Sequence, residues 1–176
     1  QDSYGNHLQL EQVRVFETPN CWADAYRGKR EPFICLFMFI DSHCHLDFPD
    51  LAKDLDELLL NMQNNQVTHA LCVSVNLPDF PRVRYLAESH DNLYASVGVQ
   101  PDYENEPEPT ADQLAELAKH PKVIAIGETG LDYFHVEVSR QVHQQRFRDH
   151  IRAARELRKP LIVHMRDAAT DVFRIL

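Results

Sequence analysis

The sequence predicts an α/β fold in which helices flank a parallel β-sheet, and it favours a (β/α)-barrel over an open doubly wound sheet. Short apolar runs alternate with amphipathic helical patterns at intervals of about 25 to 35 residues, which is typical of βα units. No Gly-x-Gly-x-x-Gly turn follows the first apolar run, so a dinucleotide-binding sheet has no local support. Histidines and acids stand where the runs end, and barrel enzymes build their active sites at that position.

The strands are predicted from short runs rich in valine, leucine and isoleucine that end in polar residues or proline. The first run begins at Met38 and passes directly into Asp41, His43 and His45. Further strands are predicted at residues 69–75, 93–99, 123–126 and 160–164. Apolar residues spaced three and four apart predict helices from about residue 50, around 83–87, around 114–118, over 139–159 and from about 167.

His43 and His45 stand two residues apart at the end of the first strand. Successive side chains of a strand point to opposite faces, so the two imidazoles project the same way while Cys44 points elsewhere. Histidine is the commonest metal ligand, and Asp41 and Asp47 beside it could add oxygen ligands or orient the rings. Because a bare His-x-His is also common on protein surfaces, the prediction of a metal site depends on residues further along the chain.

Two of those residues are Glu128, which follows the predicted fourth strand, and His164, which closes the fifth. The carboxyl ends of barrel strands share one face, so both side chains are expected near His43 and His45. Taken singly, Glu128 is typical of a surface acid and His164 of a core histidine. Taken together, the four residues predict a metal site.

Composition limits the classes of function. With 176 residues and 44% hydrophobic content, the chain is long enough for one domain with a substantial core. The formal net charge of -9 argues against a basic surface that neutralises phosphates, so metal ions would have to supply positive charge to a nucleic acid. The four cysteines lack Cys-x-x-Cys spacing, which favours reduced thiols. The longest apolar run is far shorter than the roughly 20 residues that span a bilayer, so we expect a soluble, cytoplasmic protein without a membrane partner.

Residues 1–37 differ from the remainder, because polar and aromatic residues are mixed there without a sustained period. We expect an atypical amino-terminal extension that is separate from the barrel part at 38–176. Met38 stands directly before the first strand, where a natural start would fall.

From Met38 onward the sequence resembles the TatD-type metal-dependent deoxyribonucleases, a branch of the amidohydrolase-like barrel hydrolases. Four motifs in order and at suitable spacing carry the resemblance. They are IDSHCHLD at 40–47, VGVQP at 97–101, IGETGLDY at 126–133, and KPLIVH at 159–164 followed by Arg166-Asp167-Ala168.

The resemblance implies a hydrolase that cleaves phosphodiester bonds in DNA with two divalent metal ions, Mg²⁺, Zn²⁺ or Mn²⁺. It assigns His43 and His45 to one ion, Glu128 to a catalytic bridge between both ions, and His164 to the second. Paired cations suit this chemistry because they clamp the scissile phosphate, acidify an attacking water and stabilise the leaving oxygen.

Two residues near these motifs are candidate substrate contacts. Arg166 could hold a phosphate oxygen through its guanidinium group, and a salt bridge to Asp167 or another acid is an equal alternative. Tyr133 could stack on a base or line the barrel mouth, and we favour the lining role.

The sequence departs from the family pattern in one turn and in length. Gln100 stands where family members often have a histidine. The stretch 38–176 is well short of the about 250 residues of a whole barrel. The resemblance therefore implies a (β/α)8 TIM-barrel fold truncated after about five βα units, without the family's later histidine and aspartate. We expect an open edge at the fifth strand, which would favour self-association, unless the chain is part of a longer protein.

Two other functions stay open from the sequence. A related barrel hydrolase could act on amide, lactone or phosphotriester bonds; such enzymes often bridge their metals with a carboxylated lysine, and Glu128 in that place favours the nuclease. The chain could also be a non-catalytic fragment that binds metal or a partner without turnover.

Overall fold

The computed structural model describes residues 38–103, 108–134 and 139–176, so the predicted extension at 1–37 lies outside the described residues. The strands are Phe39–Cys44 (β1), Val67–Cys72 (β2), Leu93–Val97 (β3), Val123–Asp132 (β4) and Leu161–Arg166 (β5). The helices are Pro49–Ala52 (α1), Leu55–Asn64 (α2), Phe80–Ser89 (α3), Ala111–Leu117 (α4), Arg140–Leu157 (α5) and Ala169–Ile175 (α6).

The five strands form one sheet in the order β1-β2-β3-β4-β5, and every neighbouring pair is parallel. An open doubly wound sheet reverses its strand order at a switch point, whereas a barrel adds each strand beside the previous one. The predicted α/β fold, a TIM-barrel type truncated after about five βα units, is confirmed.

The core lies between this sheet and the helices that cover its outer face. Its larger part joins β2, β3 and β4 to the apolar faces of α3, α4 and α5. The largest fully buried side chains of that part are Val83, Leu93, Val97, Leu114, Val123 and Ile126. A smaller cluster consists of Leu131, Phe147, Ile151, Ala168 and Val172, and it joins β4 to α5 and α6. This packing fixes the carboxyl ends of the strands, where the polar residues stand.

Strand β4 is longer than the sequence predicted, because it continues past Gly127 to Asp132. Its pairing with β5 shifts register between Ile126 and Thr129 and then resumes as far as Asp132. Gly127 adopts a φ of 128°, which glycine tolerates and which accommodates such an irregularity. As a result Glu128 lies within the strand, at the irregularity, and not in a loop after it.

Helix α5 carries two buried polar residues that hold the loop after β3. The Arg146 guanidinium forms two bonds to the Glu108 carboxylate, at 2.6 and 2.8 Å, and also donates to the carbonyl oxygens of Gln100 and Pro101. The His150 Nε2 atom accepts the Val99 backbone N–H at 3.0 Å. The loop that follows β3, which contains residues 99–101 of the VGVQP motif, is therefore anchored on α5.

Among the described residues, none of the helices combines the length and the apolar composition that a membrane span requires.

Candidate metal centre

His43 and His45 lie side by side near the carboxyl end of β1, with ring centroids 5.1 Å apart and the rings edge to face. The Asp41 carboxylate accepts the His43 backbone N–H at 3.0 Å, which ties the end of the strand to its own side chain. The His45 ring also stacks on Phe48 at 4.7 Å. The two imidazoles thus lie in contact at this end of β1.

A backbone carbonyl group after β2 determines which ring nitrogen of His45 carries the proton. Its Nδ1 atom lies 2.9 Å from the carbonyl oxygen of Val73, directly after β2. Because a carbonyl oxygen only accepts hydrogen bonds, Nδ1 must carry the proton, and the lone pair of a neutral ring then lies on Nε2. A backbone carbonyl is one of the partners that commonly orient a histidine that binds a metal.

Glu128 lies at the centre of the site, and its side chain is 3% exposed. Its backbone N–H donates to the carbonyl oxygen of Ser74 at 3.0 Å. The buried hydroxyl of Ser96 donates to the carbonyl oxygen of Gly127 at 2.6 Å and accepts the Ser74 N–H at 3.2 Å. Two buried serines on β3 and after β2 thus fix the backbone from which the carboxylate projects.

Gly98 allows this close approach of the backbones. A Cβ atom at position 98 would lie 2.5 Å from the Gly127 Cα atom and 2.8 Å from the Glu128 carbonyl oxygen. Any side chain there would therefore push β4 away from the end of β3.

The Glu128 carboxylate faces two histidines. Its Oε2 atom lies 3.6 Å from the His43 Nε2 atom, and its Oε1 atom lies 3.2 Å from the His164 Nδ1 atom. Burial by itself raises the pKa of Glu128, but the hydrogen bond to His164 and the charges of His43 and His164 outweigh it, so the pKa is lowered from its ordinary value. Glu128 is accordingly an anionic oxygen donor at neutral pH.

Donor type and spacing fit a metal ion. One ligand atom from each of His43, His45 and Glu128 lies within 4.8 Å of the others. Metal–ligand bonds of about 2.0 to 2.6 Å place opposite ligands about 4 to 5 Å apart, so one ion could contact all three. Two imidazole nitrogens and a carboxylate suit first-row divalent ions such as Zn²⁺ and Mn²⁺.

His164 adjoins this group but is not one of the three. It is buried near the end of β5, and its two ring nitrogens contact different carboxylates. Nδ1 lies 3.2 Å from Glu128 Oε1, and Nε2 lies 3.0 Å from Asp132 Oδ2. The structure therefore brings all four predicted metal ligands into one cluster, in which His164 joins through Glu128.

The two candidate substrate residues lie at the rim. Arg166 ends β5 and is exposed, and its guanidinium carbon lies 4.1 Å from the centre of the Phe134 ring. The Tyr133 hydroxyl donates to the Asp171 carboxylate at 2.7 Å, and the Arg140 guanidinium lies over the Tyr133 ring. Tyr133 thus ties the end of β4 to α6.

The roles of Asp132, the Val73 carbonyl group and the buried serines were not predicted from the sequence. The position of Asp132 could have been predicted from the sequence, because Glu128, Gly130 and Asp132 follow one another at the period of a strand and share one face. The roles of the serines and of the carbonyl group could not have been predicted, since they depend on which strand ends meet in space.

Comparisons with known proteins agree with this fold and donor set. The family model described as TatD related DNase matches residues 40–176. The uncharacterized metal-dependent hydrolase YcfH of Escherichia coli strain K12 is 41% identical over 140 residues, which cover 78% of this chain and 52% of that protein. The 3'-5' ssDNA/RNA exonuclease TatD of Citrobacter rodentium is 30% identical over 137 residues, covering 77% of this chain and 52% of that protein.

A solved structure shows the same architecture. The crystal structure of YjjV, a TatD homologue from Escherichia coli K12, superposes with a TM-score of 0.70 at 29% identity, over 76% of this chain and 52% of that one. The chain thus spans about half the length of the relatives it matches. The relatives that the chain matches include metal-dependent hydrolases, and the chain belongs to the family of TatD related DNases.

Proposed function

We propose that this chain carries part of the active site of a nuclease that hydrolyses phosphodiester bonds in DNA with divalent metal ions. The observation that carries the proposal is the buried Glu128 carboxylate, which faces His43 on one side and His164 on the other. The name of the Citrobacter rodentium relative, an exonuclease acting on single-stranded DNA and RNA, supports a nucleic-acid substrate.

Each proposed ligand has a defined place. His43, His45 and Glu128 would hold one ion, and Glu128 with His164 would hold a second. Mg²⁺, Zn²⁺ and Mn²⁺ are the candidates, since the donors are imidazole nitrogens and a carboxylate. When bound, the ions would supply Lewis acidity, which neutralises the phosphodiester charge and acidifies the attacking water.

The chain's own residues would hold the metal-binding carboxylate in place and contact the substrate. Glu128 stays anionic and is held by backbone bonds on both sides, so it presents two oxygens in fixed directions. Arg166 at the open rim would contact a non-bridging phosphate oxygen, and Tyr133 would line the mouth beside it. Because the chain has a formal net charge of -9, the metal ions and local cations such as Arg166 would have to supply the attraction for a polyanionic substrate.

The test compares Glu128→Gln with Glu116→Gln in the 176-residue chain. Glu116 is an exposed acid of α4 that pairs with Lys119. We expect Glu128→Gln to lose most bound Mn²⁺ or Zn²⁺ in equilibrium dialysis with elemental analysis, and to lose cleavage of a 3'-labelled single-stranded oligonucleotide by at least about 100-fold. The Glu116→Gln variant should match the unsubstituted chain.

The outcomes separate the remaining functions. Cleavage that persists in Glu128→Gln or in excess chelator would overturn the proposal. Metal uptake without DNA cleavage, but with turnover of an ester, lactone or phosphotriester, would identify a related hydrolase. Metal uptake without any turnover would identify a binding fragment, and cleavage by a longer natural form would then locate the activity in the whole protein.

A further inference from the structure

The buried acid Asp132 has no role in the proposed metal chemistry, although its carboxylate contacts His164. Its side chain is 1% exposed. Its Oδ1 atom accepts the Phe134 backbone N–H at 2.8 Å, and its Oδ2 atom lies 3.0 Å from His164 Nε2. The end of β4 therefore fixes the carboxylate in a direction that points at one ring nitrogen.

Strand pairing explains why His164 lies between two acids. In the β4–β5 register Gly130 is opposite His164 and Asp132 is opposite Arg166. Glu128, Gly130 and Asp132 share one face of β4, and the middle residue has no side chain. A Cβ atom at Gly130 would lie 2.0 Å from the His164 carbonyl oxygen, so the two strands approach closely only because residue 130 is glycine.

The two carboxylates compete for the proton of one ring. A doubly protonated ring donates to both carboxylates, but a ring that binds a metal ion is neutral and carries one N–H, so it can donate to Asp132 or to Glu128 but not to both. Asp132 is the nearer of the two, at 3.0 Å against 3.2 Å, and the Phe134 N–H anchors it. A proton on Nε2 leaves the Nδ1 lone pair directed at Glu128 Oε1.

A lone pair that faces a carboxylate oxygen needs a cation between them. Two ligands of one tetrahedral ion with bonds of about 2.0 Å lie about 3.3 Å apart, and Nδ1 and Oε1 lie 3.2 Å apart. The same pair therefore suits a shared metal ion, provided that Nδ1 is unprotonated.

We propose that Asp132 is a positioning residue: it holds the proton of His164 on Nε2 and so presents Nδ1 as a metal-ligand atom beside Glu128. The inference rests on the proposed metal-dependent function, which it deepens by assigning the tautomer of one ligand. Carboxylate partners of this kind are worth about 10- to 100-fold in metal affinity.

The test uses Asp132→Asn, which keeps the shape and the acceptor for Phe134 but offers an N–H to His164. The control is Asp171→Asn, which alters another polar contact at the end of β4, through Tyr133, without contacting His164. Zinc affinity is measured by competition with a fluorescent chelator. Long-range ¹H–¹⁵N spectra of histidine-labelled chain report which ring nitrogen carries the proton, with the His164 signals identified from a His164→Gln variant.

We expect Asp132→Asn to weaken zinc binding by about 10- to 100-fold and to move the His164 proton from Nε2 to Nδ1. The control should leave both unchanged. Unaltered affinity with Nε2 still protonated would overturn the inference, and so would weakened affinity with an unaltered tautomer, which would indicate a merely structural role.

Two further outcomes remain informative. If the unsubstituted chain takes up no zinc, the proposed function fails, and the spectrum of the metal-free chain at alkaline pH decides the inference by itself. If Asp132→Asn fails to fold, the unsubstituted zinc-loaded chain decides it. In either case a proton on Nε2 supports the role of Asp132, and a proton on Nδ1 overturns it.

Discussion

Acid should destabilise the fold through His150, a fully buried histidine of α5. Its Nδ1–H donates to the Arg146 carbonyl oxygen at 2.8 Å, and its Nε2 lone pair accepts the Val99 N–H at 3.0 Å. Both bonds need the neutral ring. Burial, together with the nearby charge of Arg146, lowers the pKa of His150 from 6.5 to about 4.

The direction of the effect follows from this lowered pKa. The unfolded chain takes up the proton near pH 6.5, whereas the folded chain resists it until about pH 4. Stability is therefore unaffected by this group above about pH 6.5 and falls as the pH decreases toward 4. At about 1.4 kcal/mol per pKa unit, the loss is roughly 1.4 kcal/mol at pH 5.5 and about 3 kcal/mol at pH 4.

The assay compares urea unfolding of the unsubstituted chain and His150→Gln between pH 7.5 and 4, followed by circular dichroism. Glutamine can still accept the Val99 N–H but does not titrate in this range. The unfolding free energy of the unsubstituted chain minus that of His150→Gln should decrease by about 3 kcal/mol from pH 7.5 to pH 4. All other titrations cancel in this difference. His69→Gln removes an exposed histidine of β2 and serves as the control. Parallel curves for the unsubstituted chain and His150→Gln would refute the reasoning.

Two further predictions concern the supports of the site. Arg146→Met removes a buried guanidinium that bridges α5 to the loop after β3, and it should lower the unfolding free energy by about 2 to 4 kcal/mol, whereas Arg152→Met, at an exposed ion pair, should change it by less than about 0.5 kcal/mol. Equal losses in urea titrations of both variants would contradict the anchoring role. Gly130→Ala places a Cβ atom 2.0 Å from the His164 carbonyl oxygen at a φ of 137°, so it should cost more than about 3 kcal/mol or prevent folding. An unchanged melting temperature would show that β4 and β5 can separate there without penalty.

Much of the site could be predicted from the sequence because its three histidines lie at or near the carboxyl ends of strands. The alternation of apolar runs and helical patterns placed His43, His45, Glu128 and His164 at carboxyl ends, and those ends meet on one face in a barrel. The extent of β4 could not be predicted, because Gly127 ordinarily ends an apolar run. The structure continues the strand through an irregularity at that glycine instead.

Local pattern alone determined the order of the βα units and the residue types at their ends, because strand and helix periodicity depend on neighbours in sequence. Tertiary structure decided which groups meet. Asp132 reaches His164 through the register of β4 and β5, and the Val73 carbonyl group fixes the proton of His45 across β1 and β2. Arg146 on α5 is buried because a loop 46 residues earlier brings carbonyl oxygens to it. Such pairings join groups far apart in the chain, and burial in the folded core removes the water that would otherwise compete for them.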